Sequence, residues 1–257
     1  MTFSRDRTLV RTAAWLLVAA LSVGSSRAAE VHVAVAANFA APMKSLATAF
    51  ERESGHRAII SLGATGQLAA QIRQGAPYGV LLSADASTPG KLARDGYALA
   101  ETQRTYAIGR LVLWSRDANY VDAKGDVLRR DDFRRVAIAN PKLAPYGAAA
   151  TQTMSALGLL DKLRSKIIEG ANINQAFQFV ASGNAELGFV AMSQVMQEAR
   201  LQSGSAWIVP ANLYEPIRQD VILLAKGKDN PAAVALLRFL DSKPARDIIR
   251  RYGYELP

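Results

Sequence analysis

The chain has 257 residues, 50% hydrophobic and 21% charged, with 31 Lys and Arg against 22 Asp and Glu. That suffices for one large domain or two modest lobes. The absence of cysteine excludes disulfides, thiolate metal sites and cysteine nucleophiles. With only two histidines, His32 and His56, a histidine-based zinc site is not expected.

Arg5, Arg7 and Arg11 make a basic start, Ala13 to Val23 an apolar run, and Ser26-Arg27-Ala28 offers small residues where a signal peptidase reads. Such a run is too short for a bilayer, which needs roughly 20 residues. Residues 1–28 are therefore expected to be a cleaved secretory signal, and the mature chain a soluble periplasmic protein. No cysteine follows that signal, so no lipid anchor is expected there. Losing four arginines and one aspartate with it lowers the formal charge from +9 to +6. The remaining basic residues attract anions over a distance. They are scattered rather than striped, and nucleic acid is not an expected partner.

Val31 to Ala37 reads as a strand, and Met43, Leu46, Ala47 and Phe50 fall at helical spacing before Gly55. Ala58 to Leu62 is a second strand, followed by Gly63-Ala64-Thr65-Gly66 and a short helix ending at Gly75. Val80 to Ser83 is a third strand, with a helical segment opening at Asp85 and Pro89. Ile108 to Trp114 reads as one longer strand. After a polar loop come the strand Val136 to Ala139, the segment Asn140 to Gly147 and an alanine-rich helix. Ile167 to Gly170, the turn Ala171-Asn172-Ile173 and a helix ending at Gly183 follow. Leu187 to Ala191 and Val221 to Ala225 are further strands, and helices from Pro231 and Pro244 finish the chain. This alternation predicts an α/β fold of mainly parallel sheets flanked by helices. Two lobes fit it, residues 29–108 with 218–257 and residues 109–217; a single larger sheet is the alternative.

Four strand-to-helix turns share one feature: A-A-N-F, G-A-T-G-Q, A-P-Y-G-A and A-N-I-N-Q carry no charge at their centres. In a parallel sheet such turns gather at the carboxyl ends of the strands, where ligands bind. Each opens a helix whose first N–H groups lack partners inside it, a ready site for an anion. Asn38, Thr65 and Tyr146 can each donate a hydrogen bond from the side chain, and Ile173 from its backbone N–H. Ala64 and Gly66 allow the backbone to approach a ligand closely. No Asp or Glu stands in these turns to accept a proton. A site made only of donors favours a fully deprotonated oxyanion, because a protonated one would set an O–H against a donor, at about 1–3 kcal/mol. Taken singly, Asn38 and Thr65 also suit plain helix caps, and Tyr146 suits packing over its turn.

The sequence of A-A-N-F-A-A-P, G-A-T-G-Q-L-A-A-Q-I, G-A-P-Y-G-V-L-L-S-A-D, N-P-K-L-A-P-Y-G and E-L-G-F-V-A, with P-I-R-Q-D at residues 216–220, resembles the periplasmic molybdate-binding proteins of ABC importers. The likeness extends over nearly the whole mature chain. It implies a two-lobed type II periplasmic-binding-protein fold with the ligand in the interlobe cleft. It also implies an oxyanion, molybdate or tungstate, held by hydrogen bonds from Asn38, Thr65, Tyr146 and Ile173 with Ala37 beside them, and not directly ligated as a metal. Some family members have serine at the positions of Asn38 and Thr65, and some have tyrosine at that of Ala191. The expected protein is no enzyme and has no cofactor; it acts as a monomer that delivers its ion to a membrane permease. The alternatives are a receptor of the same fold for sulfate or another small anion, an exported hydrolase and a ligand-sensing regulator. No G-x-S-x-G occurs for the hydrolase, neither histidine sits at a strand-to-helix turn, and no helix-turn-helix segment supports the regulator.

Overall fold

The computed structural model describes residues 28–130, 132–198 and 200–257, so the expected signal segment, apart from Ala28, lies outside the described residues. The first unit alternates strands and helices: β1 (Glu30–Ala36), α1 (Ala40–Ser54), β2 (Arg57–Gly63), α2 (Thr65–Arg73), β3 (Val80–Leu82) and α3 (Ser87–Arg94). β4 (Arg104–Gly109) leads directly to β5 (Leu111–Ser115), then β6 (Val136–Ala139), α4 (Pro145–Ala156), the short α5 (Leu160–Leu163), β7 (Ile167–Gly170), α6 (Ile173–Ala181) and β8 (Leu187–Ala191). The short α7 (Met192–Val195) and the hairpin β9 (Met196–Gln197) and β10 (Arg200–Leu201) precede β11 (Ser205–Ile208), β12 (Ile217–Leu223), α8 (Pro231–Leu240) and α9 (Lys243–Arg251).

The strands form two five-stranded sheets, ordered β2-β1-β3-β12-β4 and β11-β5-β8-β6-β7. In the first, β1 pairs in parallel with β2 and β3, whereas β12 runs antiparallel to β3 and β4. In the second, β6 is parallel to β7 and β8, whereas β5 is antiparallel to β8 and β11. The parallel pairs are thus the β-α-β units read from the alternation, and the antiparallel ones come from strands that carry the chain between the sheets. The run expected as one strand, Ile108 to Trp114, is broken at Arg110. Its first part belongs to β4 of one sheet and its second to β5 of the other. Because both halves are apolar and extended, periodicity does not reveal which sheet each joins. β11 and the first half of β12, also unforeseen, carry too little apolar alternation of their own.

Period-two alternation sorts the first sheet's side chains onto two faces. Val31, Val33 and Val35 pack with Phe39, Met43, Leu46 and the helices α8 and α9. Ala34, Leu81 and Ile222 face the other way, against Leu68 and Ile72 of α2 and Leu92 of α3. α1 ends where Gly55 takes a left-handed φ of 69°, a conformation that favours glycine. The second sheet builds its own core around Leu111 to Trp114, Phe189 and Val190. That cluster also takes in Ala36, Ala37, Ala64 and Ala84, from the turns of the first sheet. The two units therefore meet at the small residues of their strand ends.

Candidate functional site

All five residues expected at the site, Ala37, Asn38, Thr65, Tyr146 and Ile173, line one small cavity between the two sheets. Ala36, Gly63, Ala64, Ala84, Ala144, Pro145 and Asn172 complete its wall, and none of the lining residues is charged. Both sheets contribute. β1 and β2 bring Asn38 and Thr65 from one side; β6 and β7 bring Tyr146 and Ile173 from the other.

Each residue stands at a helix start. Thr65 is the first residue of α2 and Ile173 the first of α6, Tyr146 is second in α4, and Asn38 lies in the 3-10 turn that leads into α1. At such positions there is no acceptor inside the helix. Among the described residues none outside it accepts from their backbone N–H groups either. The Asn172 side chain caps α6 by accepting from Asn174 and Gln175, at 3.0 and 3.1 Å, which leaves the N–H of Ile173 unengaged. Free N–H groups from four helix starts thus border one cavity, and their partial positive charge favours an anion.

The side chains are less uniform than the sequence predicts. Thr65 is buried and its Oγ1 accepts from the Ala84 N–H at 3.1 Å, so its own proton remains to be donated. It does not cap α2, whose N-cap is Ala64 with its N–H bonded to Gln67 Oε1. Asn38 departs from expectation, because its carboxamide nitrogen is already engaged by Gln219 Oε1 at 2.8 Å and by the Tyr254 hydroxyl at 2.9 Å. Gly66 departs too. Its N–H donates to the carbonyl of Leu143 in the facing segment at 2.9 Å, so the close approach it allows is to the opposite unit and not to a ligand.

The Tyr146 hydroxyl is buried and, among the described residues, accepts and donates no hydrogen bond of normal geometry. It lies against the α-carbon of Gly109, where a Cβ would stand only 2.1 Å from it. Burial, and after it the nearby Tyr254 phenol, pushes the Tyr146 hydroxyl well above the usual tyrosine range. Burial likewise pushes Tyr254 up to about 12. These phenols therefore stay protonated, as donors, across the physiological range. Ala191 ends β8 as a buried residue, its N–H bonded to Gln194 Oε1 at 2.9 Å. Asp220, the nearest buried carboxylate in the first sheet, is held by Gln103 and Thr105 at 2.7 Å each and does not line the cavity. Among the described residues no group of His, Asp or Glu is arranged to hold a metal ion.

Two sheets, each ending in uncharged helix starts that face a shared cavity, define a solute-binding protein, and the match to family models agrees. Residues 31–255 match the family described as bacterial extracellular solute-binding protein, and the chain belongs to it. Its relatives are binding proteins and not enzymes. A protein of Azotobacter vinelandii named molybdate-binding protein ModA is 54% identical over 256 residues, covering 100% of both chains. One of the same name from Rhodobacter capsulatus is 50% identical over 88% of each chain. The solved periplasmic molybdate-binding protein of A. vinelandii superposes with a TM-score of 0.86 at 43% identity, over 88% of this chain and 99% of that one. The sulfate-binding protein SubI of Mycobacterium tuberculosis shares the fold, with a TM-score of 0.74 at 13% identity.

Proposed function

We propose that this protein is a periplasmic receptor that binds molybdate, and also tungstate, as a bare tetrahedral oxyanion and delivers it to the permease of an ABC importer. One observation carries the reading: a cavity without charged lining residues, bordered by backbone N–H groups that have no partner among the described residues. Names of relatives up to 54% identical support the choice of ion. The contacts are the N–H groups of Asn38, Thr65, Tyr146 and Ile173, the Thr65 and Tyr146 hydroxyls, and Ala37 at the wall. That set holds no carboxylate or carbonyl acceptor, so sulfate, molybdate and tungstate meet donors throughout, whereas monohydrogen phosphate would have to turn one of the two hydroxyls from donor to acceptor to pair its proton.

The working units are lobe one, residues 29–108 with 218–257, and lobe two, residues 109–217. The ion touches both and so shifts the population toward closure. A cleaved signal over residues 1–28 takes the protein to the periplasm, where it acts as a monomer; N-terminal sequencing of the periplasmic form should begin at Ala29. Calorimetric titration with molybdate, tungstate, sulfate and phosphate tests the assignment. Tight binding of molybdate and tungstate with none of phosphate is expected, and tight phosphate binding without molybdate would end it.

A further inference from the structure

We propose that Asn38 meets the anion through its main chain, and that Tyr254, Gln219 and Ser193 are positioning residues that hold it there. The inference rests on the reading of the cavity as an anion site. Asn38, Gln219, Ser193 and Tyr254 are all buried, a costly place for polar groups that are not paired. Their pairing is directional. The carboxamide nitrogen of Asn38 has two hydrogens; Gln219 Oε1 takes one and the Tyr254 hydroxyl the other. Gln219 Nε2 donates to the Ile217 carbonyl at 3.2 Å, which turns its oxygen toward Asn38 and settles which way both amides face. No carboxamide hydrogen of Asn38 is left for a ligand.

The carbonyl of Asn38 is held as firmly. It accepts from Ser193 Oγ at 2.8 Å and from the Tyr254 hydroxyl at 2.9 Å. The preceding carbonyl, of Ala37, accepts from the Ala40 N–H. In a planar trans peptide the N–H points opposite to the C=O, so the Asn38 N–H is directed back past the helix start, where Ala36 and Ala37 wall the cavity. Both peptides flanking Asn38 are thus clamped, and its side chain serves as the clamp's handle.

The holding groups come from three distant parts of the chain. Gln219 sits at the register shift of β12 against β4, a bulge that re-aims its side chain inward. Tyr254 lies beyond α9, and Ser193 follows β8 of the second sheet. The second sheet therefore has a hand in placing a donor that belongs to the first. Nothing in local sequence around Asn38 announces this, because the partners are 155 to 216 residues away.

Calorimetric titration with molybdate of Asn38→Ala, Tyr254→Phe and the double variant, with anion-free melting temperatures alongside, decides it. Wild-type binding tests the reading of the site; if it fails, that reading falls and the inference with it. Given wild-type binding, each single variant should raise Kd on the order of tenfold, and the double variant should be no weaker than the weaker single one. If the carboxamide touched the anion itself, Asn38→Ala would lose affinity, Tyr254→Phe would not, and the proposal would be wrong. A purely structural role, with the melting temperature lowered and Kd unchanged in Tyr254→Phe, overturns it as well. Should Tyr254→Phe not fold, Ser193→Ala decides. It should weaken binding on the order of fivefold, with Ser193→Thr, which keeps the donor, restoring it; an unchanged Kd in Ser193→Ala refutes the proposal.

Discussion

Replacing Gly66 by alanine should push stability and affinity in opposite directions. Gly66 is the second residue of α2 with no positive φ, so alanine suits the helix and should stabilise the anion-free chain by up to about 1 kcal/mol. For a chain of this size that is a rise of roughly 2–4 °C in melting temperature. Closure is another matter. A Cβ at Gly66 would stand 3.2 Å from both the Cα and the carbonyl oxygen of Leu143, backbone atoms of the facing unit that cannot swing aside as a side chain would. Separation by a few tenths of an ångström stretches the 2.9 Å hydrogen bond from the Gly66 N–H to the Leu143 carbonyl. Losing a neutral hydrogen bond of this kind costs about 0.5–1.5 kcal/mol, which weakens anion binding about two- to tenfold. In the proposed open form, with the two units apart, the clash would be absent, so the loss should appear mainly as faster release of the ion. Differential scanning calorimetry of the anion-free protein and titration with molybdate measure the two halves separately. A variant that melts higher and binds as tightly as wild type would refute the claim that this contact belongs to the closed state.

Thr65→Val keeps the shape but leaves the Ala84 N–H buried without its acceptor, so it should lower stability by about 1–3 kcal/mol and weaken binding, with Thr65→Ser close to wild type in both; thermal melts and titration check this. Tyr146→Phe removes a buried hydroxyl that makes no hydrogen bond of normal geometry among the described residues, so the anion-free melting temperature should hold or rise while Kd for molybdate increases by a factor equivalent to about 1–2 kcal/mol; an unchanged Kd would restrict Tyr146 to its backbone N–H. Asn172→Ala removes the cap of α6 and should cost about 1 kcal/mol of stability, read by chemical denaturation. Burial raises the Tyr254 hydroxyl to about 12 in the fold while in the unfolded chain it ionises near 10. The folded protein then holds the proton that the unfolded chain releases. Stability from this group is complete below pH 10 and lost progressively as pH rises toward 12. Alkaline melts followed by phenolate absorbance should show this tyrosine ionising only as the protein unfolds.

Much was legible along the chain because it is local. Helix spacing, Gly55 and Gly183 as terminators, and uncharged turns at Asn38, Thr65, Tyr146 and Ile173 are properties of a few neighbouring residues, and a helix start exposes free N–H groups wherever it occurs. That those four turns share a wall follows from parallel strands, whose carboxyl ends point the same way. Tertiary structure alone decided what contacts between distant segments determine. The apolar run from Ile108 to Trp114 divides at Arg110 because two separate sheets offer it hydrogen bonds. The two carboxamide hydrogens of Asn38 are taken because folding brings up Gln219 and Tyr254, 181 and 216 residues on. Gly66 faces Leu143 and not a ligand because the two units meet there. A side chain's donor capacity is written in its residue type, but which acceptor takes it depends on what folding carries within 3 Å.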